Sequence, residues 1–184
     1  VALIPRVRQW IDEHNPGMEI CLGEYNFGGG DNVTGGLAQC DVFGILARES
    51  VDLAFVWYSP AGSQQLAWQL FRSYDGRGSG FGEKLLKAES GDPDLSLYAA
   101  RRTADNAVTI AAVNKNLHGS CMLSLDVGAL KGDMRVWRFD QDTAENVKEV
   151  AEWARPVAGP LELDLPAASA SMIVILPSRK TSAP

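Results

Sequence analysis

The chain has 184 residues, enough for one large domain or two small ones, and its make-up (46% hydrophobic, 22% charged) is globular, not disordered. A net charge of −6 argues against nucleic acid or an anionic membrane surface as a partner, since both recruit basic patches, and leaves a neutral ligand such as a sugar compatible. No apolar run approaches the roughly 18 residues of a transmembrane helix.

Leu3 to Glu13 reads as an amphipathic helix. Leu3, Ile4, Val7, Trp10 and Ile11 recur on one face, and Pro5 falls in the first turn, where its missing N–H is tolerated. Asn15-Pro16-Gly17 stops it. A strand over Met18 to Gly23 follows, with Ile20 and Leu22 alternating with Glu19, Cys21 and Gly23. It breaks off at Glu24-Tyr25-Asn26 and a glycine-rich loop. In a (β/α) barrel the active site lies where strands give way to loops, so Glu24 is the first catalytic candidate. The competing reading is an ordinary exposed glutamate. Tyr25 and Asn26 would orient Glu24 or meet a ligand, or simply pack the loop.

The loop from Gly28 to Gly36 lacks the GK[ST] ending of a P-loop and the GxGxxG fingerprint, so a phosphate site is not expected. Its glycines permit sharp turns. Thr34 or Asn32 caps the next helix, which runs to about Arg48 with Leu37, Cys40, Phe43 and Ala47 on one face. A second apolar strand, Val51 to Trp57, ends in Trp57-Tyr58-Ser59-Pro60, and a helix follows at about Gln64 to Tyr74. The order α-β-α-β-α is parallel α/β grammar. Two strands close no barrel, which needs about 250 residues. Further units are therefore expected upstream, or these pieces pack on something else. Val1 begins a chain whose first helix is already under way, and no signal peptide is visible.

At Asp75-Gly76-Arg77-Gly78-Ser79-Gly80 the grammar changes, dividing the chain into 1–78 and 79–184. Strands are expected at Leu85 to Glu89, Leu95 to Thr103, Ala107 to Asn114, Ser120 to Val127, Met134 to Asp140, Leu161 to Leu165 and Ser171 to Leu176. Short strands at this spacing predict an antiparallel β-sandwich. Asp105-Asn106 reads as a tight hairpin turn. Ser178 to Pro184 reads as a frayed polar tail.

The three cysteines, Cys21, Cys40 and Cys121, form no disulfide framework, and Cys21 and Cys40 read as small buried apolar groups. With only His14 and His118 and no CxxC or HxxxH pattern, no transition-metal site is expected. Asp31 and Asn32 could meet a ligand or a calcium ion, although no EF-hand spacing occurs. Trp57 offers a flat face to a pyranose. Trp10, Trp68, Trp137 and Trp153 read as core or interdomain packing.

Taken together, Ile4-Pro5-Arg6-Val7-Arg8-Gln9-Trp10-Ile11 with Asn15-Pro16-Gly17, Gly23-Glu24-Tyr25-Asn26-Phe27-Gly28, Gly35-Gly36-Leu37-Ala38-Gln39-Cys40-Asp41, Gly44-Ile45 with Arg48-Glu49, Trp57-Tyr58-Ser59-Pro60 and Tyr74-Asp75-Gly76 with Phe81-Gly82 resemble glycoside hydrolase family 44, the endoglucanases and xyloglucanases of the large barrel clan. Leu97-Tyr98-Ala99-Ala100-Arg101-Arg102 and Val113-Asn114-Lys115 fit that family's sandwich domain. The resemblance implies the last two βα-units of a (β/α)8 TIM barrel followed by an antiparallel β-sandwich. It implies a retaining hydrolase acting on β-1,4-glucans of the cellulose or xyloglucan type. Glu24 would be the nucleophile, Trp57 would floor the sugar site, and Tyr25 and Asn26 would bind substrate beside them.

The family's acid/base glutamate belongs to an Asn-Glu pair ending the fourth barrel strand, and no such pair precedes Glu24. The resemblance thus implies a C-terminal part that is inactive alone and lacks the N-terminal part of its barrel. No cofactor is required, a structural calcium ion is seen among such enzymes, and an extracellular location is implied. Two other classes stay open: a stand-alone carbohydrate-binding or structural sandwich, and a different barrel glycosidase of the arabinofuranosidase or xylosidase type.

Overall fold

The computed structural model describes residues 2–127, 132–143, 145–153 and 160–177. The polar tail expected at 178–184 lies outside the described residues, as does the side chain of Trp153.

The first helix, α1 (Leu3–His14), ends at Asn15, whose N–H bonds to the Ile11 carbonyl. Gly17, at φ +89°, turns the chain into β1 (Cys21–Tyr25). The helix α2 (Val33–Arg48) then leads to β2 (Leu53–Val56), which pairs parallel with β1. The Asp52 carboxylate accepts from the Ile20 N–H at 2.8 Å and closes the foot of this pair. Arg8 ties α1 to the same end by donating to the carbonyls of Ser50 (2.7 Å) and Met18 (3.3 Å). The expected βαβ order is therefore present, with α3 (Ser63–Arg72) after β2.

One expected property of this region is not observed. No residue of α1 is buried, and Trp10, expected in packing, is 50% exposed with the Arg6 guanidinium 5.3 Å above its ring. Cys21, expected to be buried, is exposed. The reason is the same for both. A two-stranded sheet covers little, and only α2 and α3 find a large surface to pack on.

That surface is the sheet that follows. Strands β3 (Lys84–Leu86), β4 (Leu95–Arg101), β5 (Val108–Asn114), β6 (Cys121–Leu125), β7 (Gly132–Phe139), β8 (Lys148–Trp153), β9 (Leu161–Leu165) and β10 (Ser169–Pro177) are antiparallel wherever they pair. Six form one sheet in the order β3-β4-β5-β10-β7-β8, while β6 and β9 form a separate two-stranded ribbon. The β4–β5 hairpin turns at Asp105-Asn106 as expected, with Asn106 at φ +60°.

Strand alternation sorts the side chains into two cores. Tyr98, Ala111, Val113, Trp137, Phe139, Met172 and Val174 face Leu37, Cys40, Leu66, Leu70 and Phe71 of α2 and α3. Leu97, Ile110, Val136, Ile173 and Ile175 face Leu123, Leu163 and Leu165 of the ribbon. The result is three layers: helices, six-stranded sheet and ribbon. Close approach makes this work. A Cβ at Gly44 would fall 2.2 Å from the Tyr98 ring, so only glycine lets α2 lie on β4.

β8 was not anticipated. Its sequence, Lys-Glu-Val-Ala-Glu-Trp, carries three charges and pairs with β7 alone at the sheet edge. Arg135 on β7 holds it through Glu152 at 2.5 Å and Glu149 at 3.8 Å.

Candidate active site

The site is built at the carboxyl ends of β1 and β2. Their register runs Cys21↔Leu53, Leu22↔Ala54 and then Tyr25↔Val56, so β1 carries one residue more than its partner between Leu22 and Tyr25. This is a β-bulge, a device that re-aims side chains and recurs beside active sites. Glu24 lies in it, exposed. Among the described residues, no hydrogen bond or ion pair engages its carboxylate.

The next residues are held. Tyr25 Oη accepts a hydrogen bond from Gln39 Nε2 at 2.9 Å, and its ring stacks on Phe27 with centroids 6.1 Å apart. Burial is the main cause that raises the Tyr25 phenol above its ordinary pKa, although the Gln39 bond pulls the other way. The Asn26 side-chain oxygen accepts from the Gly28 N–H at 2.7 Å, closing a turn. The Trp57 N–H donates to the Tyr25 carbonyl at 3.0 Å, which sets the two strand ends side by side. Trp57 itself is 63% exposed. Of the four residues singled out, Glu24, Asn26 and Trp57 are therefore open, and Tyr25 is half-buried against α2.

The glycine-rich loop is pinned from behind. Asn32 caps α2, accepting from the Thr34 N–H at 3.0 Å. Buried Ser63 accepts from the Gly36 N–H at 3.0 Å and donates to the Asn32 carbonyl. Gln64 Nε2 donates to the Gly28 carbonyl at 2.9 Å, and its Oε1 accepts from Tyr58 Oη. Gln39 and Gln64, each 1% exposed, were missed in the sequence. The available signal was a glutamine on an otherwise apolar helix face, Leu37 and Cys40 being the neighbours of Gln39. Among the described residues, no group of three or more His, Cys, Asp or Glu could hold a metal ion. None of the described helices is long and apolar enough to cross a membrane.

No family model matches the chain. Endoglucanase A of Paenibacillus lautus is 31% identical over 183 residues, spanning 95% of this chain and 26% of that protein. A Paenibacillus polymyxa xyloglucanase from glycoside hydrolase family 44 superposes with a TM-score of 0.88 at 29% identity, covering 96% of this chain and 36% of that one. A family 44 endoglucanase from Clostridium acetobutylium gives 0.87 at 30% identity, covering 95% of this chain and 35% of that one. The relatives and structural neighbours that match nearly the whole of this chain are family 44 endoglucanases and xyloglucanases. The chain spans about a quarter to a third of the length of these family 44 relatives, as a C-terminal part would. A thermostable GH51 alpha-L-arabinofuranosidase from Thermotoga petrophila shares the fold alone, at 17% identity and a TM-score of 0.71. The family 44 likeness is thus much the closer of the two.

Proposed function

We propose that this chain is the C-terminal third of a retaining glycoside hydrolase that cleaves β-1,4-glucan chains of the cellulose or xyloglucan type. Residues 1–78 are the last two βα-units of its (β/α)8 barrel and 79–184 its β-sandwich. The observation that carries the reading is the open carboxylate of Glu24 in a bulge at a strand end, in a chain about 30% identical to endoglucanases and xyloglucanases.

In this reading Glu24 attacks the anomeric carbon and forms the glycosyl-enzyme bond as the leaving oxygen takes a proton from an acid. That acid then acts as base and draws a proton from the water that releases the sugar. It lies in a part of the enzyme outside this chain, about 5–5.5 Å from Glu24 once assembled. Trp57, open beside Glu24, packs on the pyranose face. Tyr25 and Asn26 complete the substrate site. The displacement needs no cofactor, and a polymeric substrate places the enzyme outside the cell.

The test is covalent trapping. The full-length enzyme is incubated with an activated 2-deoxy-2-fluoro cello-oligosaccharide and digested for mass mapping. A label on Glu24 is expected; a label on any other residue overturns the assignment. Sequencing upstream of Val1 should find about six more βα-units, with Asn-Glu ending the fourth strand.

A further inference from the structure

The two strand ends share one construction. Glu24 is the last residue but one of β1 and Trp57 follows β2, and each is succeeded directly by a tyrosine, Tyr25 and Tyr58. Each tyrosine hydroxyl is held by a buried glutamine from the helix after its strand: Gln39 of α2 donates to Tyr25 Oη at 2.9 Å, and Gln64 of α3 accepts from Tyr58 Oη. A buried amide must find partners or lose stability, whereas an apolar side chain of similar volume makes no such demand. Gln64 is fixed in orientation because its Nε2 donates to the Gly28 carbonyl, a group that can only accept. It therefore reaches from the second unit into the loop of the first.

Gln39 has the more consequential place. The bulge leaves Gly23 and Glu24 outside the register, and a Cβ on Gly23 would touch nothing within 4 Å. Neither ladder pairing nor packing at Gly23 fixes the backbone that carries the carboxylate. Tyr25 is the first residue back in register, opposite Val56, and its side chain is anchored to the long helix α2 by Gln39.

We propose that Gln39 is a positioning residue for Glu24: by anchoring Tyr25 it holds the bulge in the one form that aims the carboxylate at the anomeric carbon. The inference rests on the proposed role of Glu24. Errors of about 1 Å in an attacking group cost up to about 100-fold in rate, so a distant amide can matter.

The test uses two single variants of the full-length enzyme and their combination. Gln39→Met removes the amide at similar volume, and Tyr25→Phe removes one oxygen. Each is expected to lower kcat by about 10- to 100-fold, and Gln39→Met, which lies behind Tyr25 and away from substrate, should keep KM within about 2-fold, the pattern of a group acting in the transition state. The double variant should be no slower than the slower single, because both delete the same bond. Trapping by the fluorinated glycoside should slow by the same factor, with the label still on Glu24. Unchanged kcat, additive losses in the double variant, or a raised KM with normal kcat overturns the positioning role. If Gln39→Met does not fold, Tyr25→Phe decides alone: wild-type kcat there overturns the inference. A label away from Glu24 in the unmodified enzyme instead overturns the nucleophile assignment, so the two failures are distinguishable.

Discussion

The Trp57 N–H donates to the Tyr25 carbonyl at 3.0 Å, the last rung between the two parallel strands. One backbone bond thus couples the proposed sugar platform to the residue beside the proposed nucleophile. Position along a ladder sets their spacing, while the bulge on β1 sets the direction of Glu24.

Glu24→Gln in the full-length enzyme should lower turnover of β-glucan by roughly 10³-fold or more while leaving glycan binding intact. Steady-state kinetics on a soluble glucan, paired with calorimetric titration of a cello-oligosaccharide, reads both. Retained turnover would sink the nucleophile assignment.

Trp57→Ala should weaken glycan binding by about 1–2 kcal/mol, since an open indole face is lost without loss of core packing. The same titration measures it, and unfolding temperature should scarcely move.

Gly44→Ala should destabilise the protein by about 1–3 kcal/mol, because the new Cβ would lie 2.2 Å from the Tyr98 ring. Gly91→Ala, where a Cβ meets nothing within 4 Å, should stay within about 0.5 kcal/mol. Urea midpoints of the two variants compare them directly.

Alkaline pH should weaken the fold. Tyr98 donates to Asp41 at 2.7 Å, and burial, then that bond and the Asp41 charge, raise its phenol well above the ordinary value of 10.0. Burial likewise raises Tyr25 and Tyr74. Below pH 10 the phenols are protonated in both states and the stabilisation is complete. Above it the unfolded chain releases its protons first, so stability falls as pH climbs toward the folded values. Urea unfolding from pH 8 to 11 should show that decline, and Tyr98→Phe should flatten it.

Much of this was legible in the sequence because it depends on local pattern. Alternation in Leu161 to Leu165 gave β9 to the residue, and of the two cap candidates for α2, Thr34 and Asn32, the structure uses Asn32, with the helix ending at Arg48 as expected. The strand-end positions of Glu24 and Trp57 followed from two apolar runs that stop abruptly. Exposure was not legible. The apolar stripe of α1 and the alternating Cys21 look the same in sequence whether or not a neighbour exists to cover them. The edge strand β8 was also hidden, since three charges in six residues mask the apolar alternation by which a strand is read. Gln39 and Gln64 were hidden for a third reason: each acts on a tyrosine 14 or 6 residues away, a relation only the tertiary fold creates.

The helical layer over the six-stranded sheet bears on how such enzymes could exchange parts in evolution. Phe139, Met172 and Val174 look across at Leu66, Leu70 and Phe71, so the glycine-rich turn at 75–80, for all its appearance as a seam, parts two halves of one interior. A genetic crossover there would join helices to a sheet they had not been selected against. Crossovers ahead of Asn32 would carry the interior whole but separate Tyr25 from its Gln39. The heritable block therefore reaches back past α2 to the strand that bears Glu24, and relatives should trade that block entire or not at all.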